Sequence, residues 1–186
     1  MSLKSHTEAV STADSLQYRA FLHFREQLGE LPSLDAKGAV LATPTSFWSQ
    51  QLEDLQYLAD ATPAIVDRLR RHCYLLDGEL AERYQPIEDK YRRIFDERLE
   101  WLMQTGDPGL LVPEPSVLGE FGYQLEGGLV HQTTLDHFDV LTRLDRARVL
   151  DRVIRPRARV LVWDIGASWG GLARKVRHLF PDVTYV

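Results

Sequence analysis

The C-terminal segment, residues 157–186, constrains the fold of this chain more than any other part of its sequence. The run Val160-Leu-Val-Trp163 is apolar and β-branched, and a glycine-rich turn follows it. Apolar residues then recur at helical spacing, at Leu172, Val176, Leu179 and Phe180. Val183-Thr-Tyr-Val186 returns to a strand pattern. This order predicts strand, turn, helix and a second, parallel strand, with the first strand buried on both faces.

The charge at the start of the turn indicates which ligand it suits. Asp164 stands two places before the first glycine, Gly166, at the carboxyl end of the predicted strand, where ligands of open α/β sheets bind. A dinucleotide brings a pyrophosphate against such a turn, and a carboxylate would repel it. S-adenosylmethionine carries an ammonium group and no phosphate, so the carboxylate favours it. A strand–helix–strand unit without a ligand remains the alternative.

The same residues carry a family resemblance. The segment from Val160 to Arg174 resembles the first motif of class I S-adenosylmethionine-dependent methyltransferases. Its ending, Trp169-Gly-Gly-Leu-Ala-Arg174, resembles that of a family of sugar O-methyltransferases of bacterial polysaccharide biosynthesis, as do residues 121–130 and Ser46-Phe-Trp48. The resemblance covers about residues 45–186. It implies methyl transfer from S-adenosylmethionine to a sugar hydroxyl in polysaccharide or glycoside biosynthesis.

The resemblance also implies a set of cofactor-binding residues. Asp164 would lie near the methionine amino group, and Gly166, Ala167 and Gly170 would line the methionine and ribose end of the cofactor. Ser168 stands where the superfamily usually has its second glycine, so its side chain either crowds the cofactor or donates a hydrogen bond to it. The resemblance assigns no catalytic residue and no metal ligand here.

The sequence ends at Val186, before the acidic residue that binds the ribose hydroxyls in this superfamily. We therefore expect a C-terminally truncated methyltransferase domain that binds S-adenosylmethionine weakly or not at all. The alternative is a non-catalytic product, either a truncated fragment or a helical interaction module that keeps only the first βαβ unit. Because a two-stranded sheet leaves both edges unpaired, its strands would pair with an absent C-terminal segment or, in a homo-oligomer, with another copy.

The remaining pattern predicts an α/β chain with a helical N-terminal region, a β-hairpin and the first βαβ unit of an incomplete Rossmann-like sheet. We expect four parts: a flexible tail (1–14), a helical domain (15–106), a linker with hairpin and helix (107–155), and the start of the S-adenosylmethionine-binding domain (156–186). Four helices are predicted, from Leu16 to Gly29, from Phe47 to Ala59, from Pro63 to Gly78 and from near Pro86 to Gly106. A further helix is capped by Thr133 or Thr134. Gly127-Gly128 predicts the hairpin turn, with positive φ allowed at both positions.

Composition excludes several classes of function. The formal net charge is −5 with interspersed signs, which argues against nucleic-acid binding. No apolar run approaches the length of a membrane span or a signal peptide, so we expect a cytoplasmic protein without a membrane partner. The single cysteine, Cys73, predicts a small core residue rather than a nucleophile.

Other chemistry-bearing residues give weaker signals. His131, Asp136, His137 and Asp139 lie close in sequence but lack zinc-type spacing, so we expect solvated polar positions. Either histidine remains a candidate general base for a sugar hydroxyl. The arginines between 143 and 159 predict a solvated helix face. Trp101 has the spacing of a core or half-buried residue, and Trp169 is a candidate wall of the cofactor pocket.

Overall fold

The computed structural model describes residues 16–29, 50, 53, 55–74, 81–84, 89–156, 159–164 and 170–186. The chain divides into two compact units, residues 1–69 with 117–119, and residues 70–116 with 120–186. The predicted tail, 1–14, lies outside the described residues. The four-part domain division stays a prediction.

The first unit contains short helical elements. Helix α1 spans Leu16–Gly29, as its pattern predicts, a 3-10 helix spans Gln56–Asp60, and α2 spans Pro63–Asp67. The prediction of α-helix as far as residue 59 is wrong at that end, and most of residues 47–54 lie outside the described residues. The helix predicted from Pro63 to Gly78 is broken at Arg68, whose φ of −116° leaves the helical range. Helix α3 covers Leu69–His72, and its residues from Arg70 onwards belong to the second unit.

The second unit mixes helices with two small sheets. Its long helices are α4 (Asp89–Thr105) and α5 (Gln132–Arg146), with 3-10 helices at Ala81–Tyr84 and Pro108–Leu110 and a π-helical turn at Leu150–Ile154. Strands β1 (Tyr123–Leu125) and β2 (Gly128–Val130) form an antiparallel hairpin. Strand β3 (Val160–Val162), helix α6 (Gly171–Leu179) and strand β4 (Val183–Tyr185) complete the unit.

The hairpin and the start of α5 are each displaced slightly from their predicted positions. Leu125 pairs with Gly128, so residues 126–127 form the turn, and Gly128 rather than Gly127 takes positive φ, +134°. Helix α5 begins at Gln132, before the predicted threonine caps. Thr134 lies inside the first turn, where its hydroxyl accepts a hydrogen bond from the His131 N–H at 3.3 Å, so it caps the helix by bonding backwards.

One apolar core holds the second unit together. Its buried members are Phe95, Leu102, Leu110, Val130, Leu135, Phe138, Leu141, Leu150, Ile154, Val176 and Val183. They come from α4, the 3-10 helix Pro108–Leu110, α5, the π-helical turn, α6 and a strand of each sheet, so α6 and the strands beside it share this core with the hairpin. Cys73 is buried, as its pattern predicts.

The C-terminal elements form the predicted parallel unit. Strand β3 pairs in parallel with β4, with Val160 opposite Val183, and α6 connects the two. The prediction that β3 is buried on both faces is wrong: Leu161 is 65% exposed and Trp163 77% exposed. Successive side chains point to opposite faces of a strand, and only the face that carries Val160 and Val162 packs against the core. Among the described residues, no helix has the length and apolar character needed to cross a membrane.

Candidate functional site

Asp164 lies immediately beyond the carboxyl end of β3. Its N–H donates to the carbonyl of Val186 at 2.9 Å, and the Val186 N–H donates to the carbonyl of Val162 at 2.8 Å. Its carboxylate accepts a hydrogen bond from the Tyr185 hydroxyl, with 2.6 Å between the oxygens. Burial, then the hydrogen bond to Asp164 and its charge, raises the pKa of Tyr185. Tyr185 therefore remains a proton donor at neutral pH and holds the carboxylate in one orientation.

Gly170 lies directly before the first residue of α6. Its backbone is left-handed, with φ +86° and ψ +20°, a conformation that favours glycine. A Cβ at this position would meet no described atom within 4 Å. Among the described residues, the glycine is therefore required by backbone conformation rather than by crowding. The first N–H groups of α6, which have no acceptor within the helix, begin here.

The structure thus describes two of the five cofactor-binding residues predicted from the sequence. Asp164 and Gly170 stand at the two ends of the turn, Asp164 two residues after β3 and Gly170 directly before α6. Gly166, Ala167 and Ser168 lie outside the described residues, as does Trp169. The described ends of the turn therefore carry the Asp164 carboxylate and the N-terminus of α6.

A second polar site lies in the interior of the same unit, and sequence reasoning missed it. We call it the Glu114 cluster; its members are Arg70, Glu114, His131, Thr134 and Lys175. Each is less than a tenth exposed. Lys175 Nζ donates to Glu114 Oε1 at 2.8 Å, and the Thr134 hydroxyl donates to the same oxygen. Arg70 Nη2 donates to Glu114 Oε2, so both carboxylate oxygens are engaged.

His131 completes this cluster. Its Nε2 lies 3.3 Å from Glu114 Oε2 and 2.9 Å from Arg70 Nη2. Its ring stacks on Phe121 with centroids 4.9 Å apart. The prediction that His131 is a solvated position is therefore wrong, because the ring is enclosed by the cluster and an aromatic neighbour.

The cluster controls the charge of its carboxylate. Burial alone would raise the pKa of Glu114, but His131, Lys175 and Arg70 outweigh burial and hold the pKa of that carboxyl well below its usual range. Burial lowers the pKa of Lys175, and Glu114 opposes that change. Glu114 is therefore ionised throughout the neutral range, and its charge is satisfied by groups from three helices and the residue before α5.

One sequence signal could have revealed Lys175. It lies three residues after Leu172 and four before Leu179, and so falls on the apolar face of α6. A lysine on such a face is buried only when it is paired. Glu114, 61 positions earlier, lies between two prolines in a segment whose pattern predicts neither helix nor strand.

The other candidate residues have structural partners. Asp136 accepts from Arg98 at 2.6 Å, and Asp139 pairs with Arg143 at 2.9 Å on the surface of α5. Trp101 is 50% exposed, so it is the half-buried rather than the core residue of the two that its spacing predicts. Within the described ranges, no group of three or more histidine, cysteine, aspartate or glutamate residues is placed to hold a metal ion.

A shallow groove lies beside the C-terminal half of α6. Its lining includes Arg174, Arg177, His178, Pro181 and Tyr185. Basic residues in the last turn of a helix complement its negative C-terminal end. Their position is explained by the helix itself, so the groove is not assigned to a ligand.

Comparison of the chain with models of protein families, with curated proteins and with solved structures gave no match.

Proposed function

We propose that this chain carries the methionine-binding end of an S-adenosylmethionine site in a methyltransferase that acts on a sugar hydroxyl, in polysaccharide or glycoside biosynthesis. The observation that carries the proposal is the position of Asp164, at the carboxyl end of β3 and within a parallel βαβ unit. In this proposal, β3, α6 and β4 are the first unit of a Rossmann-like sheet.

The charge of the turn supports a methyl donor over a dinucleotide. The Asp164 carboxylate would attract the ammonium group of a methionine moiety, whereas it would repel a pyrophosphate. Tyr185 donates to one of its oxygens at 2.6 Å, and a carboxylate has further lone pairs with which to accept from a ligand ammonium. Tyr185 therefore orients the group without consuming its capacity to bind.

The start of α6 supports the proposal in a second way. No described atom lies within 4 Å of the position that a side chain of residue 170 would take, which favours the approach of a ligand to the backbone there. The N-terminal N–H groups of α6 attract negative charge, and the carboxylate of the methionine moiety would supply it. The ammonium and the carboxylate of one amino acid would then meet Asp164 and the helix end, respectively.

The transferred group and its acceptor follow from the resemblance. A bound S-adenosylmethionine supplies an electrophilic methyl on its sulfonium, which a sugar hydroxyl attacks as that hydroxyl loses its proton. The residues of this chain bind and orient the donor; the base is not assigned to any of them. His131 does not suit that role, since it is enclosed within the Glu114 cluster.

Binding is tested by titrating the isotopically labelled protein with S-adenosylmethionine and recording amide chemical shifts, which detect dissociation constants as weak as about 1 mM. We expect shift changes concentrated around Asp164 and Gly170. Asp164→Asn should abolish them, because it removes the charge that attracts the ammonium. Asp182→Asn, an exposed aspartate just before β4, is the matched control and should leave them unchanged.

Two results would contradict the proposal. One is the absence of shift changes at these residues at saturating donor, and the other is equal or stronger binding of NAD at the same residues. The acceptor is tested separately. Protein purified from its own cells is incubated with donor that carries a labelled methyl group, and the molecule that acquires the label is identified. Label on a sugar oxygen is expected, and label on protein, nucleic acid or a lipid amine would exclude the sugar.

A further inference from the structure

Glu114 is fixed through its backbone as well as through its side chain. Its N–H donates to the carbonyl of Leu129 in β2 at 2.8 Å, which ties it to the hairpin. The preceding Pro113 lies against the hairpin turn, since a Cβ placed at Gly128 would be 3.1 Å from the Cβ of Pro113. The carboxylate therefore projects from a backbone position that the hairpin defines.

Helix α6 is attached to this segment at two successive residues. Lys175 Nζ donates to Glu114 Oε1 at 2.8 Å, and Arg174 Nη1 contacts the carbonyl of Pro113 at 3.5 Å. Lys175 lies five residues after Gly170, which is about 7 Å along the helix axis at 1.5 Å per residue. The polar attachment is thus about one and a half turns from the N-terminal end of α6.

The apolar contacts of α6 do not fix its direction in the same way. Val176 is buried, and Leu172, Leu179 and Phe180 are partly buried against the core. Apolar packing is non-directional, so it holds a short helix against the core while allowing it to slide or tilt. An ion pair with fixed hydrogen-bond geometry restricts both movements.

Stability alone is a poor explanation for such an arrangement. Replacing a buried ion pair by well-packed apolar residues is often neutral or stabilising, because the pair must first lose its hydration. What the apolar replacement lacks is the directional constraint. The Glu114 carboxylate joins α3, α5 and α6, and its backbone N–H attaches the same residue to the hairpin.

We propose that Glu114 is a positioning residue for the methyl-donor site: through Lys175 it fixes α6, and with it the helix N-terminus that follows Asp164 in the chain, relative to the hairpin and α5. This inference rests on the proposed function. Glu114 itself is buried and does not touch the ligand, so it acts through α6.

The test combines amide hydrogen exchange with the donor titration. Lys175→Met removes the charge and its hydrogen bond but keeps an unbranched side chain. Glu114→Gln removes the charge of the carboxylate that Lys175 contacts but keeps the shape of that side chain. In both variants we expect the exchange protection of α6 to fall about tenfold more than that of α5, because the local attachment is lost rather than the whole fold. The donor dissociation constant should rise about fivefold or more.

Two further variants separate positioning from general stability. Thr134→Val removes a hydrogen bond to the same carboxylate oxygen but leaves the link to α6 intact. Because the same hydroxyl accepts from the His131 N–H at the start of α5, the change should lower the protection of α5 at least as much as that of α6, and it should leave the donor dissociation constant unchanged after correction for the folded fraction. Arg174→Ala is the milder variant, since it removes only an exposed contact with Pro113; it should weaken α6 and donor binding in the same direction, by about twofold.

The outcomes for the two proposals are distinguishable. If the wild-type protein binds no donor, the proposed function is rejected. If the Lys175→Met and Glu114→Gln variants then still lose protection only in α6, the attachment of α6 by Glu114 is retained. Equal loss of protection in α5 and α6 after Lys175→Met would overturn the positioning role, even if the donor binds. So would an unchanged dissociation constant in variants whose α6 has lost protection.

Discussion

At the scale of single residues, the surroundings of His137 in the second unit disfavour its protonated form. Its buried Nδ1 has no hydrogen-bond partner among the described residues. Burial, followed by the positive charge of Lys175, lowers the pKa of His137 from 6.5 to about 4, against the opposing charges of Glu114 and Asp136; His131 also contributes to lowering it. The imidazole is therefore neutral in the folded protein at neutral pH.

We predict that His137 makes the protein sensitive to mild acid. Because its pKa is lower folded than unfolded, the unfolded chain binds the proton more readily, and stability falls as the pH drops from 6.5 towards 4. The expected loss between pH 7 and 4.5 is about 1–2 kcal/mol in the free energy of unfolding, measured by urea denaturation. His137→Gln should flatten this part of the profile. Parallel profiles for wild type and variant would show that another group is responsible.

The contribution of Glu114 appears in a more acidic range. Its pKa is depressed in the folded state, so the stability that it contributes is present above its unfolded value of about 4.5 and is lost as the pH falls below it. The two groups can thus be separated by pH, since His137 acts above about 4.5 and Glu114 below it.

At the scale of elements, the hairpin depends on a glycine at its base. Gly122 has φ +140°, and a Cβ at this position would lie 2.7 Å from the carbonyl carbon and oxygen of Val130. A Cβ placed at Gly127, in the turn itself, would lie 3.5 Å from Pro113 Cγ, which is an ordinary contact distance. The base of the hairpin is therefore more restrictive than its turn.

We predict that Gly122→Ala lowers the free energy of unfolding by about 2–4 kcal/mol, because it forces both an unfavourable φ and a backbone clash. Gly127→Ala is the matched control, and its expected effect is within about 0.5 kcal/mol. Chemical denaturation of the two variants side by side measures the difference. Similar losses in both would mean that the backbone at Gly122 relaxes freely.

Local pattern predicted most of the second unit correctly. Helices α4 and α6 follow from apolar residues at helical spacing, and the parallel unit follows from two short β-branched runs around a glycine-rich turn. The errors have local physical causes: α5 starts earlier because Thr134 bonds backwards to His131, and Arg68 interrupts the third predicted helix. Such backbone choices depend on single hydrogen bonds that periodicity does not encode.

The Glu114 cluster could not be predicted in the same way. Its carboxylate and Lys175 are 61 positions apart, and Arg70 comes from yet another helix. A charged residue is normally read as solvated, and only the fold shows which ones are enclosed together. At the turn, by contrast, Asp164 and Gly170 are local to one motif, and sequence was sufficient to bring them into consideration.

At the scale of the whole molecule, one face of the C-terminal sheet stands out as exposed and apolar. Leu161 and Trp163 on the β3 side and Val186 beyond β4 are between 62% and 77% exposed. In the part of the chain that the structure describes, β3 and β4 pair only with each other, so each has an outer edge open to pairing. Apolar surface next to open strand edges is typical of an interaction surface.

We predict that this face mediates self-association of the chain. Sedimentation velocity over a range of protein concentrations should show oligomers that increase with concentration. The double variant Leu161→Thr, Trp163→Ser should shift the protein towards monomer, because it removes apolar area but keeps residues that a strand accommodates. Its stability should change by no more than about 0.5 kcal/mol, since both side chains are exposed.

Trp101→Ser, an equally drastic change at a 50% exposed tryptophan on α4, is the matched control and should leave the distribution unchanged. A wild-type protein that stays monomeric at every concentration, or an equal effect of Trp101→Ser, would exclude this face as the site of association.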